Sequence, residues 1–116
     1  MKKITLFLIM LVFLSCTSAY ADRATLKEYK QLKKEQSMVI YVKGMGDGLS
    51  LANVALKLKG QSPLYCPPPK LPVSADGYVT ILDGYLEKNQ HMNKEDILIG
   101  VLLLRALEYT FPCPSE

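Results

Sequence analysis

The chain has 116 residues, a formal charge of +3, one histidine and three cysteines. That is enough for one small domain. The near-balance of charge leaves no basic stripe with interleaved aromatics, which argues against nucleic acid as a partner.

Met1-Lys2-Lys3 is basic, Ile4 to Phe13 is apolar apart from Thr5, and Ser15 to Ala21 is small and polar, ending Ala19-Tyr20-Ala21 before Asp22. This is the layout of a secretory signal peptide cut between Ala21 and Asp22. The apolar run is too short to span a bilayer about 30 Å thick, so the expectation is export without a membrane anchor. The alternative is a lipid on Cys16, although bulky Leu14 makes Leu14-Ser15-Cys16 a poor lipid-attachment motif. Removing residues 1–21 leaves 95, takes Lys2 and Lys3 away, and lowers the formal charge to +1. Two cysteines then remain, Cys66 and Cys113. In an oxidising compartment an even pair reads as one disulfide, with two unpaired buried thiols as the alternative.

Residues 22–116 read as an all-α domain, a small four-helix bundle. Asp22 to Lys34 carries Leu26, Tyr29 and Leu32 as a narrow apolar stripe. Ser37 is placed to cap a second helix, Met38 to Leu58, whose period runs through Met38, Tyr41, Met45, Leu49, Ala52 and Leu56 until Gly60 ends it. Gln61 to Pro72 holds five of the seven prolines and reads as an extended loop. Ser74 caps a third helix, Ala75 to Lys88, with Tyr78, Ile81, Leu82 and Tyr85 on one face. After a polar link, Asn89 to Met92, Asn93 is expected to cap a fourth helix with Glu95 and Asp96 in its first turn. Pro112 ends it.

Nothing in this pattern points to catalysis. His91 lies in the polar link, and a paired Cys66 and Cys113 leave no thiol for it to activate. Zinc needs three or four ligands, which one histidine and the adjacent Glu95 and Asp96 do not supply, so neither metal nor cofactor is expected. Gly44-Met45-Gly46-Asp47-Gly48 resembles a phosphate cradle, but it sits inside a helical pattern rather than between a strand and a helix. Gly44 and Gly48 share a face, so the expectation is that they thin the helix for a packed neighbour, with Gly46 free to bend it.

Tyr41-Val42-Lys43-Gly44 with Gly48, Leu64-Tyr65-Cys66-Pro67-Pro68, Tyr85-Leu86, and Ala106-Leu107 leading to Phe111-Pro112-Cys113-Pro114 occur in that order. Together they resemble the Rap/Tai-like immunity proteins of type VI secretion systems, over about residues 25–115. The resemblance implies a helical, disulfide-bonded periplasmic protein, often a homodimer, that blocks a peptidoglycan amidase at its Cys-His active site. It matches Cys66 and Cys113 to the family's disulfide, Gly44 and Gly48 to its helix-two glycines, and Pro67 and Pro68 to its loop prolines. A departure is the missing second cysteine pair, one member of which falls near the start of helix two in many family members, where this chain has Ser37-Met38-Val39; its absence implies a looser first helix. The contact surface is expected in the exposed loops: Tyr65, Pro67, Pro68 and Pro69 on one, Asn89, Gln90, His91 and Asn93 on the other. A small acid-stress chaperone or another exported binding protein is the alternative role.

Overall fold

A computed structural model describes residues 23–69 and 73–115, with Ile4 as an isolated position. The signal sequence, Cys16, the Ala21–Asp22 junction and Pro72 lie outside the described residues. Four α-helices and one short 3₁₀ turn make up the regular structure described: α1 (Leu26–Leu32), α2 (Gln36–Leu58), α3 (Ala75–Lys88), the turn Gln90–Met92, and α4 (Ile99–Thr110). The all-α expectation holds. A lone bridge between Thr25 and Leu98 is the sole β pairing among these residues.

Helix α1 begins at Thr25. The Glu28 carboxylate accepts hydrogen bonds from the Thr25 amide at 2.7 Å and from its hydroxyl, and the Thr25 side chain faces the Glu28 backbone amide in return, the reciprocal arrangement of a capping box. The Thr25 hydroxyl is the first cause holding the Glu28 carboxyl below the usual carboxylate range. Ahead of α1 the chain runs beside residues 95–99. Leu26 donates to Ile97 at 2.8 Å, Lys27 to Glu95 at 3.1 Å, and Ile99 to Ala24 at 3.0 Å. These bonds, with Leu26 and Tyr29 fully buried, anchor α1 to the segment ahead of the last helix.

The same pairing moves the start of the last helix. Residues 95–98 are occupied by α1's entry, so α4 starts at Ile99 with Leu98 as N-cap. Asn93 does not cap α4; it closes the 3₁₀ turn, its backbone amide donating to the Gln90 carbonyl at 3.0 Å and its side-chain amide to the Leu86 carbonyl at 3.4 Å. Ser37 is likewise inside α2, whose N-cap is Glu35. Helix α3 has the expected bounds and cap: Ser74 Oγ accepts from the Gly77 amide at 3.0 Å.

The core is built from α4 against α3 and α2. Leu82, Ile99, Leu102, Leu103 and Leu107 are fully buried, joined by Leu26 and Tyr29 from α1 and Val42 from α2. The inward face of α2 is Met38, Val42, Gly46 and Asn53. Tyr41, expected on that face, is 41% exposed. The glycine expectation is also corrected. A Cβ at Gly44 or Gly48 would meet nothing within 4 Å, whereas one at Gly46 would collide with the ring of Tyr78. Gly46 is the packing glycine, because it lies on α2's inner side and the other two do not. Asp47 has an ordinary role, an i,i+4 ion pair with Lys43 on the exposed side of α2.

Cys66 and Cys113 form a disulfide across 47 positions. It ties the proline loop to the tail after α4, and the Cys66 amide donates to the Phe111 carbonyl at 2.8 Å beside it.

Candidate functional site

The two loops expected to recognise a partner lie at opposite ends of α3. In the chain the proline loop precedes its first turn and the 89–93 link follows its last.

At the first end the structure withdraws Tyr65. Its side chain is buried, and burial pushes its phenol pKa up. Its backbone is equally committed: Asn53, on α2, donates from Nδ2 to the Tyr65 carbonyl at 2.8 Å and accepts from the Leu64 amide at 2.7 Å. Tyr65 is therefore a core residue that seats the loop, not a contact residue. Pro67 is half-buried, and Pro68 and Pro69 are exposed. Loop position carries little information here, because a loop stapled at Cys66 also turns a side chain inward.

At the second end the link does border a cavity. A cleft of about 320 Å³ opens between α1, α3 and the 3₁₀ turn, lined by Tyr29, Lys30, Lys33, Asp83, Leu86, Glu87, Gln90 and Asn93. Two of the expected residues, Gln90 and Asn93, line it. His91 is exposed nearby in sequence, and Asn89 is spent locally, donating to the Tyr85 carbonyl at 2.9 Å. The cleft's floor is a relay between helices: Tyr29 OH donates to Asp83 Oδ1 at 2.9 Å, and Lys33 Nζ lies 3.5 Å from Asp83 Oδ2. Burial, then the hydrogen bond to Asp83, holds the Tyr29 phenol well above its ordinary pKa, so it stays a protonated donor.

Tyr29, Lys30, Lys33, Asp83 and Glu87 were not read as site residues in the sequence. Their signal was faint: Lys30 and Lys33 flank the apolar stripe of α1, and Asp83 follows the Ile81-Leu82 face of α3. Two lysines, two carboxylates and the amides of Gln90 and Asn93 give the cleft donors and acceptors of both charges. Such a set suits a polar polypeptide surface, since neither sign dominates as it would for an anion. Among the described residues no group of three or more His, Cys, Asp or Glu side chains is arranged to hold a metal ion.

The fold and cleft thus define a small all-α, disulfide-stapled domain with a mixed-charge recess at one end. No family model matches the chain, and neither does any curated protein or solved structure.

Proposed function

We propose that this chain is an exported immunity-type inhibitor: a periplasmic protein, acting as a homodimer, that binds a secreted peptidoglycan amidase and blocks its active site. The observation that carries the reading is the Cys66–Cys113 bond. It joins the two most distinctive segments of the motif set, Leu64-Tyr65-Cys66-Pro67-Pro68 and Phe111-Pro112-Cys113-Pro114, which lie far apart in sequence. The remaining pieces support it as ordinary scaffold. Gly44 and Gly48 lie on the long helix, and Tyr85 and Leu86 are buried in α3.

On this reading the polar cleft and the adjacent 89–93 link form the face that meets the amidase, because they offer side chains of both charges and amides on a helical frame. The test is co-purification with a cysteine peptidoglycan amidase, sought first among the genes that neighbour its own, followed by a peptidoglycan hydrolysis assay. Stoichiometric loss of hydrolysis is the expected result, and an amidase that neither binds nor slows overturns the proposal.

A further inference from the structure

The cleft between α1, α3 and the 3₁₀ turn keeps its charges on separate walls. Lys30, in α1, and Lys33, at its C-cap, supply one wall; Asp83 and Glu87, four positions apart on α3, supply the other. One pair crosses between the walls, and loosely. Lys33 Nζ stands 3.5 Å from Asp83 Oδ2, beyond the roughly 2.7–3.2 Å of a well-formed N–H···O bond. Asp83 is held by Tyr29 instead, whose hydroxyl donates to Oδ1 at 2.9 Å. That bond fixes the direction of the carboxylate and leaves Oδ2 open to a further donor. Lys30 and Glu87 are exposed, and neither belongs to an ion pair among the described residues.

We propose that this cleft binds a short peptide by its two free termini, the ammonium against Asp83 and Glu87 and the carboxylate against Lys30 and Lys33. A lone anion would be attracted by one wall and repelled by the other, and so would a lone cation. A ligand with both charges satisfies both walls. The third side is neutral and carries amides. Gln90 and Asn93 line it. The Asn93 side chain spends a donor on the Leu86 carbonyl at 3.4 Å, which leaves its own carbonyl oxygen for an incoming N–H. Amides at this position match a peptide bond, which a single amino acid lacks. The volume of about 320 Å³ lies at the lower end of ligand clefts, which run from about 300 to 1,000 Å³. It suits a molecule of dipeptide size.

This goes beyond the proposed function, which seats a protein on the same cleft; here the ligand is a small molecule bound by the chain alone. Peptide binding is measured without amidase, and amidase inhibition without peptide, so either can fail while the other stands.

Titration of the full chain with alanyl-alanine at neutral pH, followed by amide NMR, is the test. Shifts should concentrate at residues 29–33, 83–87 and 90–93. N-acetyl-alanyl-alanine and alanyl-alanine amide should each bind about fivefold more weakly, since each gives up one partly exposed ion pair. Glu87→Gln should shrink the advantage of the free ammonium and leave that of the free carboxylate; Lys30→Gln should do the reverse. A variant that merely loosened the fold would weaken all three peptides alike, and the comparison of the three on the wild-type chain needs no variant. Equal affinity for free and capped peptides overturns the proposal, as does an absence of binding or a set of shifts away from the cleft. Inorganic phosphate that binds at Lys30 and Lys33 more tightly than alanyl-alanine would make this a simple anion site, and that result overturns it too.

Discussion

Gly46 of α2 lies directly beneath the ring of Tyr78 of α3. A Cβ at position 46 would sit under 3.0 Å from three ring carbons, and Tyr78 itself is 3% exposed. The ring cannot swing into solvent, so the missing side chain is what lets the two helices meet. Gly46→Ala is therefore expected to destabilise the fold by about 1–2 kcal/mol, an overpacking cost that exceeds the gain in helix propensity. Gly84→Ala, inside α3 with nothing within 4 Å of the new methyl, should stabilise by up to about 1 kcal/mol. Urea unfolding of both variants makes the comparison, and equal effects at the two sites would reject the packing role of Gly46.

The same pair shows where the sequence was legible and where it was not. Four helices and one cystine follow from apolar spacing, proline placement and a count of cysteines. Ser74 marks the start of α3 because nothing distant competes for its local hydrogen bond. In α2 the spacing identifies a helix but not its inner face: residues 40, 44 and 51 are as periodic as 38, 42 and 49. Asn93, Glu95 and Asp96 form a good local start signal for α4, and it loses to backbone bonds between residues 24–27 and 95–99. The cleft was hidden for a related reason. Tyr29 and Asp83 are 54 positions apart, and no local pattern announces that they meet.

Asn53 is the buried polar side chain of the described core, 5% exposed, and it satisfies both the Leu64 amide and the Tyr65 carbonyl. Asn53→Ala removes both partners at once and leaves two backbone groups in an apolar setting. The expected cost is about 2–4 kcal/mol, since each orphaned group forfeits its desolvation. Asn53→Asp should recover the amide contact but not the carbonyl one, and should fall below wild type as well. Denaturant melts of the three proteins test this order, and a neutral Asn53→Ala would show that the loop is held by Cys66 alone.

Breaking the Cys66–Cys113 bond releases a loop of 47 positions. Chain entropy alone makes the bond worth about 4 kcal/mol, a large share of the stability of so small a domain. Cys66→Ser/Cys113→Ser, or reduction of the wild-type chain, should lower the urea midpoint accordingly. Asn53 and the disulfide hold adjacent residues of one loop, so removing both should cost less than the sum of the two losses. A strictly additive result would mean that the loop is restrained at two independent points.

Tyr29, Tyr65 and Tyr78 are each pushed above the ordinary phenol value of 10.0, burial being the first cause in all three. In the unfolded chain these phenols ionise near that value; in the fold they keep their protons to higher pH. The stability linked to them is complete below pH 10 and is lost as pH rises through their folded values. The protein should therefore unfold progressively above pH 10, with the tyrosinate absorbance of Tyr29, read as wild type minus Tyr29→Phe, rising together with the loss of helicity. Tyr29→Phe keeps the buried ring but gives up the bond to Asp83, so it should cost about 1 kcal/mol at neutral pH and soften the alkaline transition. If that Tyr29 difference signal appears while helicity stays intact, the phenol lies in solvent and the arrangement of the cleft floor is contradicted.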